Sequence, residues 1–301
     1  MPAEEDDARL VAPADRAAGA SRSTPPCDDG RTSRRVRGRP RRSITPDPPA
    51  DGAVVAPHSW RAARFMVIVA HPDDADFGPA ATASRWIDSG SVGRLVCCTS
   101  GDQGGEDAAL DPLEIAATRE VEQRRAAAVV GYDDVRFLHQ PDGALANELP
   151  LRELLVREIR EFRPDAVLTH DPEVLFYPGG GINHADHRAA GIAAVDAVYP
   201  AARNPMAFPT LAQAGFAPHR VRRLYLFWPG APTAWVEIGA TIDRKIEALR
   251  CHPSQFTVDA AFEQRMHDWA AEEGVAIGAP AAEAFRLVVI DDDDDQAELP
   301  E

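Results

Sequence analysis

Two short segments of the sequence concentrate side chains that bind metal ions and move protons. The first is AHPDD at residues 70–74, and the second is HADH at residues 184–187. Imidazoles mixed with carboxylates suit Zn²⁺ or a similar divalent ion. A hydrolytic zinc site needs three protein ligands, an open position for water and a base that takes the proton of that water. The two segments together could supply all of these groups.

The role of each side chain follows from what it can supply. His71, Asp74 and His187 are the predicted metal ligands. Asp73 is then free to act as the general base, and His184 can face the substrate carbonyl. Each segment alone has a simpler interpretation, because a His-Pro pair is typical of turns and an HxxH pair often lies on a helix surface. Their joint occurrence after two predicted strands favours a metal site.

The elements that must position these residues alternate between short apolar runs and helical patterns. Strands are predicted at 65–70, 94–99, 135–138, 166–169, 223–227, 235–238 and 286–290, and helices at 79–89, 112–130, 149–162, 184–198, 241–250 and 260–273. Unbroken apolar strands between helices predict an α/β fold with an open, doubly wound, mainly parallel sheet. Such sheets bind ligands beyond the carboxyl ends of their strands, so the residues just after Ala70, Thr99, Leu138 and Thr169 are the positions to inspect.

The composition predicts one folded domain between an N-terminal arm and a C-terminal tail that differ from it in composition. The chain has 301 residues, of which 45% are hydrophobic, enough for one sizeable core. Residues 1–60 are rich in Pro, Gly, Ser, Asp and Arg without apolar periodicity, which is typical of a disordered arm. The folded domain is therefore predicted at 62–290, followed by an acidic tail at 291–301.

The net charge and the search for targeting segments limit the classes of partner and the compartment that we expect. A formal net charge of -16 makes nucleic acid an unfavourable partner. The exception is residues 31–42, where seven Arg could form a weak tether for nucleic acid, although a solvated tail is the favoured interpretation. The sequence has no long apolar stretch and no secretory signal at its start, and its cysteines have no metal or disulfide spacing. We therefore expect a cytoplasmic protein, with no membrane partner and with homo-oligomerisation left open.

The sequence resembles the LmbE-like family, which includes the PIG-L N-acetylglucosaminyl-phosphatidylinositol de-N-acetylases and bacterial thiol-glycoside deacetylases. The matching segments are AHPDDAD at 70–76, TSGDQGG at 99–105, TREVEQRRAAAVVG at 118–131, PDG at 141–143, HADHRAAG at 184–191 and KIEALRCHPSQF at 245–256. The resemblance implies a Rossmann-like fold and a zinc ion, with Fe²⁺ as the alternative. It also implies hydrolysis of an N-acyl group, above all N-acetyl, on an amino sugar or related small molecule.

The resemblance also implies roles for individual residues. The three ligands and the base match those above, with metal-bound water as the nucleophile. His184 would stabilise the oxyanion or protonate the leaving amine, and Asp186 would orient it. Arg119 and Asp142 match positions that contact the sugar in some relatives. Ile182 is a departure, because some relatives have a tyrosine there.

Other functions remain as alternatives. An amidase of thiol conjugates would use the same residues, and a non-catalytic sugar- or metal-binding module would keep the fold. A nucleotide-binding oxidoreductase is disfavoured, because no G-x-G-x-x-G follows the first strand. Tyr177, in the same loop as Ile182, is the candidate for assisting the oxyanion. Lys245 is the only lysine of the chain, and we attribute this to the Arg-rich composition.

Overall fold

The computed structural model describes residues 54–291 except 106, 108, 178 and 179. Its strands are β1 (Arg64–Val69), β2 (Val92–Thr99), β3 (Asp134–Gln140), β4 (Ala166–His170), β5 (Arg223–Phe227), β6 (Ala234–Glu237) and β7 (Ala282–Val289). Its α-helices are α1 (Asp74–Phe77), α2 (Ala80–Asp88), α3 (Pro112–Val130), α4 (Leu149–Phe162), α5 (Ala185–Asp196), α6 (Pro209–Gln213), α7 (Ile242–Leu249) and α8 (Ala260–Gly274).

The strands form one seven-stranded sheet in the order β3-β2-β1-β4-β5-β7-β6. The first five strands of this order are parallel, whereas β7 pairs antiparallel with both β5 and β6. The chain order reverses between β1 and β4, and such a switch point leaves a crevice at the carboxyl ends of the two strands. The prediction of a mainly parallel α/β sheet is confirmed, and the antiparallel edge is a feature the sequence analysis did not specify.

The core lies on both faces of the sheet, as a doubly wound fold requires. In β1, Phe65 and Val67 pack in one apolar cluster with α2 and α7, while Met66 and Ile68 pack in another with α4 and α5. Because every second side chain of a strand points to the same face, a strand buried on both faces must be apolar throughout. This explains why the sequence of β1 shows an unbroken apolar run.

Local signals fix both ends of α3 where the sequence predicted them. The Asp111 side chain accepts a hydrogen bond from the Leu113 N–H at 2.9 Å, and α3 begins at the next residue, Pro112. The helix ends before Gly131, whose φ of 102° is the left-handed conformation that favours glycine. The bounds of α4 also match the prediction, whereas the short helices α1 and α6 were not predicted.

Residues 54–60 of the predicted arm contact the domain. The Val55 N–H donates to the Ala276 carbonyl and the His58 N–H to the Trp235 carbonyl, both at 2.8 Å, and the Trp60 ring stacks on Tyr225. The rest of the predicted arm, including the Arg cluster at 31–42, lies outside the described residues, as does the predicted tail after Asp291. Among the described helices, none combines the length and apolarity of a membrane span.

Candidate metal centre

The loop after β1 turns two consecutive carboxylates in different directions. The Asp74 carboxylate accepts a hydrogen bond from the His71 N–H at 2.7 Å and lies in the protein interior. Asp73 has a φ of 86°, a left-handed conformation that is uncommon for a residue other than glycine. Its N–H donates to Gln123 Oε1 at 2.7 Å, and Gln123 Nε2 donates to Asp76 at 2.8 Å. Gln123 of α3, to which the sequence analysis gave no role, thus holds the turn that separates the two carboxylates.

The structure brings the three predicted ligands into contact. His71 Nδ1 lies 3.4 Å from Asp74 Oδ2, and His187 Nε2 lies 3.0 Å from Asp74 Oδ1. The rings of His71 and His187 have their centroids 5.3 Å apart. Asp74 therefore stands between two imidazoles that come from opposite sides of the switch point, one after β1 and one from the first turn of α5.

His170, the last residue of β4, joins this cluster although the sequence analysis gave it no role. Its Nε2 lies 3.4 Å from Asp74 Oδ2, and its ring stacks on His187 with centroids 4.3 Å apart. Asp74, His170 and His187 form one group whose ligand atoms could hold a metal ion, and His71, His184 and His187 form another. The sequence does contain one signal for a role of His170, which is its position. It directly follows Thr169, one of the strand ends beyond which such a fold binds ligands.

A glycine permits the stacking of the two histidines. A Cβ added to Gly191 would lie 2.6 Å from the backbone oxygen of His170, so no other residue fits there without displacing the backbone. The small side chain lets α5 pack closely on β4 and carry His187 to His170. Gly191 closes the HADHRAAG segment, which explains the glycine at that spacing.

Two further carboxylates contact His71 from its other side. His71 Nε2 lies 3.1 Å from Asp142 Oδ1 and 3.3 Å from Asp186 Oδ2. The Asp186 carboxylate also accepts hydrogen bonds from the backbone N–H groups of Gly143 at 2.7 Å and Leu145 at 3.2 Å. Carboxylates that bind the second nitrogen of a ligand imidazole orient the ring and make it a better ligand.

The contact of Asp186 corrects one expectation. We expected its carboxylate to orient His184, but it faces His71. Residues two apart at a helix start point in nearly opposite directions, so a buried Asp186 leaves His184 outside. The contact between Asp186 and His184 is made by the backbone instead, with the Asp186 N–H donating to His184 Nδ1 at 3.2 Å.

The two residues predicted to contact the sugar are buried among other site residues. Arg119 donates to the Pro72 carbonyl at 2.8 Å, to Asp73 Oδ2 at 3.1 Å and to the Gly101 carbonyl at 3.0 Å. Asp142 accepts from the Gln103 N–H at 2.9 Å in addition to contacting His71. Their observed partners are thus protein groups that carry the site, and a contact of either residue with a sugar stays a prediction.

His184 and Tyr177 lie at the edge of the cluster. His184 is exposed, and its ring meets that of His71 edge-on at 4.8 Å between centroids. The Tyr177 hydroxyl donates to Asn183 Oδ1 at 2.6 Å, and the same oxygen lies 3.2 Å from His187 Nδ1. Tyr177 therefore connects to His187 through Asn183, whereas Ile182 is 75% exposed.

The charges of the cluster fit a bound cation. Burial alone would raise the pKa of Asp74, but the neighbouring His187 and His170 hold it well below its usual range. Burial would lower the pKa of His71, yet the carboxylates of Asp142, Asp186 and Asp74 raise it to about 12. Three carboxylates around one imidazole thus demand positive charge, which a divalent ion bound to nitrogen and oxygen donors supplies.

Asp73 has a different electrostatic environment. Burial and the adjacent Asp74 carboxylate raise its pKa to about 7, against the opposing influence of Arg119. A carboxylate with a pKa near neutrality can both accept and return a proton in the same reaction. The cluster therefore lies beside a carboxylate whose pKa suits proton transfer.

Comparisons with known proteins identify the family of the chain. A sequence model of the PIG-L family, described as GlcNAc-PI de-N-acetylase, matches residues 66–198. The diacetylchitobiose deacetylase of Thermococcus kodakarensis is 31% identical over 227 residues, 75% of this chain and 83% of that protein. The 1D-myo-inositol 2-acetamido-2-deoxy-alpha-D-glucopyranoside deacetylase of Kineococcus radiotolerans is 27% identical over 261 residues, 65% of this chain and 70% of that protein.

A solved structure extends the similarity to three dimensions. It is the N,N'-diacetylchitobiose deacetylase from Pyrococcus horikoshii in complex with its inhibitor MPG. The two structures superpose with a TM-score of 0.69 at 28% identity, covering 76% of this chain and 84% of that one. The matched family region, 66–198, contains both the HPDD and the HADH segments.

Proposed function

The chain belongs to the PIG-L (LmbE-like) family, and from this premise we propose that it is a metal-dependent deacetylase. It hydrolyses the N-acyl group of an amino sugar or a related small molecule, with N-acetyl as the simplest case. The observation that carries this proposal is the different contacts of two consecutive carboxylates: Asp74 contacts His71 and His187, whereas Asp73 contacts Arg119.

The metal in this proposal is zinc, with Fe²⁺ as the alternative, held by His71, Asp74 and His187. When bound, it would act as a Lewis acid toward the amide carbonyl and would acidify water. His170 contacts the same carboxylate and stacks on His187, so it supports the ligands from the strand side. Asp142 and Asp186 orient His71 through its Nε2.

Asp73 is the general base of the proposed reaction. It accepts the proton of the attacking water and later returns it toward the departing nitrogen. Arg119 holds the carboxylate through a 3.1 Å contact, and Gln123 holds its backbone. The raised pKa of Asp73 suits a proton acceptor that must also become a donor within one turnover.

His184 stabilises the oxyanion or protonates the amine. Because its Nδ1 accepts a hydrogen bond from the Asp186 N–H, the neutral ring carries its proton on Nε2. Burial and the nearby His71 and His187 lower the pKa of His184, which favours this neutral form and therefore, of the two roles, the stabilisation of the oxyanion. Its Nε2–H is then available as a donor to oxygen on the substrate.

The experiment that tests the proposal measures metal content and acetate release together. We expect about one zinc or iron per chain in the purified protein and release of acetate from N-acetylglucosamine-type substrates. His187→Ala should lose both the metal and the activity. His267→Ala, which changes a partly exposed histidine of α8, is the matched control and should keep both. Metal retained in full by His187→Ala would overturn the ligand assignment, and metal without hydrolysis would favour a binding module.

A further inference from the structure

The candidate site has a polar side and an apolar side, and we propose that the apolar side binds an N-acyl chain longer than acetyl. This inference rests on the proposed amide hydrolysis and specifies its substrate class: amino sugars or related amines that carry a medium-length aliphatic acyl group. The observation is a cavity that borders His187 and extends away from the carboxylates of the cluster.

The cavity has a volume of 710 Å³ and a mainly apolar wall. Pockets that hold whole small molecules span about 300–1,000 Å³, so this space far exceeds what a two-carbon acetyl group fills. Near the cluster it is lined by aromatic rings, and farther away by side chains of α8. The lining includes Phe77, Phe227, Trp228, Met266, Trp269 and Ala270.

The aromatic wall begins at the histidines themselves. The Phe227 ring centroid lies 4.6 Å from that of His170, and the Trp228 ring centroid lies 5.6 Å from that of His187. Phe77 ends α1, the helix that Asp74 begins. A chain attached to a carbonyl at the cluster would therefore enter the cavity directly.

Four charged residues line the cavity: Lys245 and Glu283 are engaged with each other, Glu273 accepts from the Trp235 Nε1–H at 3.1 Å, and Glu272 is exposed to solvent. Lys245 Nζ donates to Glu283 Oε1 at 2.7 Å and to the Gly78 carbonyl at 2.6 Å. Glu283 also accepts from the N–H groups of Ala81 at 3.2 Å and Thr82 at 2.8 Å. Because this pair is internally satisfied, it offers no strong attraction to a polar ligand, and the mainly apolar wall favours an aliphatic group.

The opposite side of the cluster is suited to hydroxyl groups. There the loops after β1 and β2 contribute Asp73 and Gln103, and His184 adds an exposed imidazole. The scissile amide has two substituents, the amine part and the acyl part. The polar side matches a hydroxylated amine, which leaves the apolar cavity for the acyl chain.

The test compares N-acetyl, N-butyryl and N-octanoyl glucosamine as substrates of the zinc-loaded enzyme. Each methylene buried should raise kcat/KM by about fourfold until the cavity is filled. Ala270→Phe, which places a ring in the cavity, should lower the octanoyl-to-acetyl ratio of kcat/KM by at least about tenfold. Ala271→Phe makes the same change at the exposed neighbouring position and should leave the ratio unchanged.

A binding measurement tests the cavity without hydrolysis. Octanoate should change the fluorescence of Trp228 and Trp269, whereas acetate should not, and Ala270→Phe should abolish the octanoate signal. If Ala270→Phe fails to fold, Met266→Trp fills the same cavity from a more accessible position. Cleavage of the acetyl substrate with neither octanoyl cleavage nor octanoate binding would overturn this inference alone. Failure to cleave any of the three amides would overturn both it and the proposed function.

Discussion

Two groups of buried charged residues border the same cavity, and they differ in how well their hydrogen-bond donors and acceptors are matched. Lys245 and Asp74 are each 4% exposed. The Lys245–Glu283 pair is complete, since the cation has two acceptors and the carboxylate three donors. The cluster of Asp74, His71, His170 and His187 is crowded, with Asp74 within 3.4 Å of nitrogens from all three imidazoles.

The difference supports a structural role for the Lys245–Glu283 pair and the proposed metal-binding role for the cluster. A buried pair that satisfies its own hydrogen bonds needs no additional ligand. In the cluster, His170 Nδ1 is buried and has no hydrogen-bond partner among the described residues, and His71 lies between carboxylates on both edges of its ring. Equal burial therefore says little about function, whereas the balance of donors and acceptors separates the two groups.

The largest expected effect is a loss of hydrolysis without a loss of metal. Asp73→Asn should lower kcat by about 10³-fold, because removing a general base typically forfeits 10²- to 10⁴-fold. The metal content should stay unchanged, since Asp73 contacts Arg119 and belongs to none of the groups of described residues that could hold a metal ion. Acetate release and elemental analysis on the same preparation give both values, and a variant within tenfold of the wild-type kcat would refute the role of Asp73.

The second prediction concerns the Lys245–Glu283 pair, where a substitution should lower the stability of the protein and leave its metal content unchanged. Lys245→Met should destabilise the protein by about 3 kcal/mol, because it leaves Glu283 buried without its cation. Metal content should not change. Denaturant unfolding measures the free energy, and the neighbouring Arg244→Met, which breaks the exposed contact with Asp88, should cost less than about 1 kcal/mol. Equal losses in the two variants would contradict the structural role of the Lys245–Glu283 pair.

The third prediction concerns the carboxylates behind His71. Asp186→Asn should weaken metal binding by about 10- to 100-fold, because the amide orients and polarises the imidazole less well. Competition with a chelator measures the affinity. The control is Asp196→Asn, which changes a residue at the other end of the same helix, away from the cluster. This variant should keep the wild-type affinity for the metal. An unchanged affinity in Asp186→Asn would show that His71 is held by other contacts.

The smallest expected effect comes from His58, a titratable group outside both clusters. Burial, with a smaller contribution from Arg223, lowers the pKa of His58 from 6.5 to about 4. Between these values the unfolded chain binds the proton and the folded protein does not, so stability falls as the pH is lowered from 6.5 toward 4. The loss between pH 7 and 5 should be about 1–2 kcal/mol.

His58→Gln isolates this contribution. The variant should lose part of the pH dependence of the free energy of unfolding, measured by urea titration at both pH values. The side chain contacts the Tyr225 hydroxyl at 2.7 Å, so the variant is also expected to be slightly less stable at pH 7. If the free energy of unfolding had the same pH dependence in the wild type and in His58→Gln, a group other than His58 would cause the loss of stability in acid.

Much of the fold was predictable because its signals are local. The cap at Asp111 and the glycine at 131 fix α3, and the apolar run of β1 reflects burial on both faces. The strand direction of β6 and β7 was not predictable, because an apolar strand looks alike whether its neighbour runs parallel or antiparallel. The fold that the sequence predicted was therefore right in class and incomplete at one edge.

The sequence by itself determined the kinds of side chain at the site and the strand ends that carry them. His71, Asp73, Asp74 and His187 could be named because each follows a recognisable element. Only the tertiary structure decided that His170 joins them and that Asp186 faces His71. The physical reason is that these contacts form between segments brought together by the packing of α5 on β4. Such packing depends on the summed interactions of the whole core, which no local pattern records.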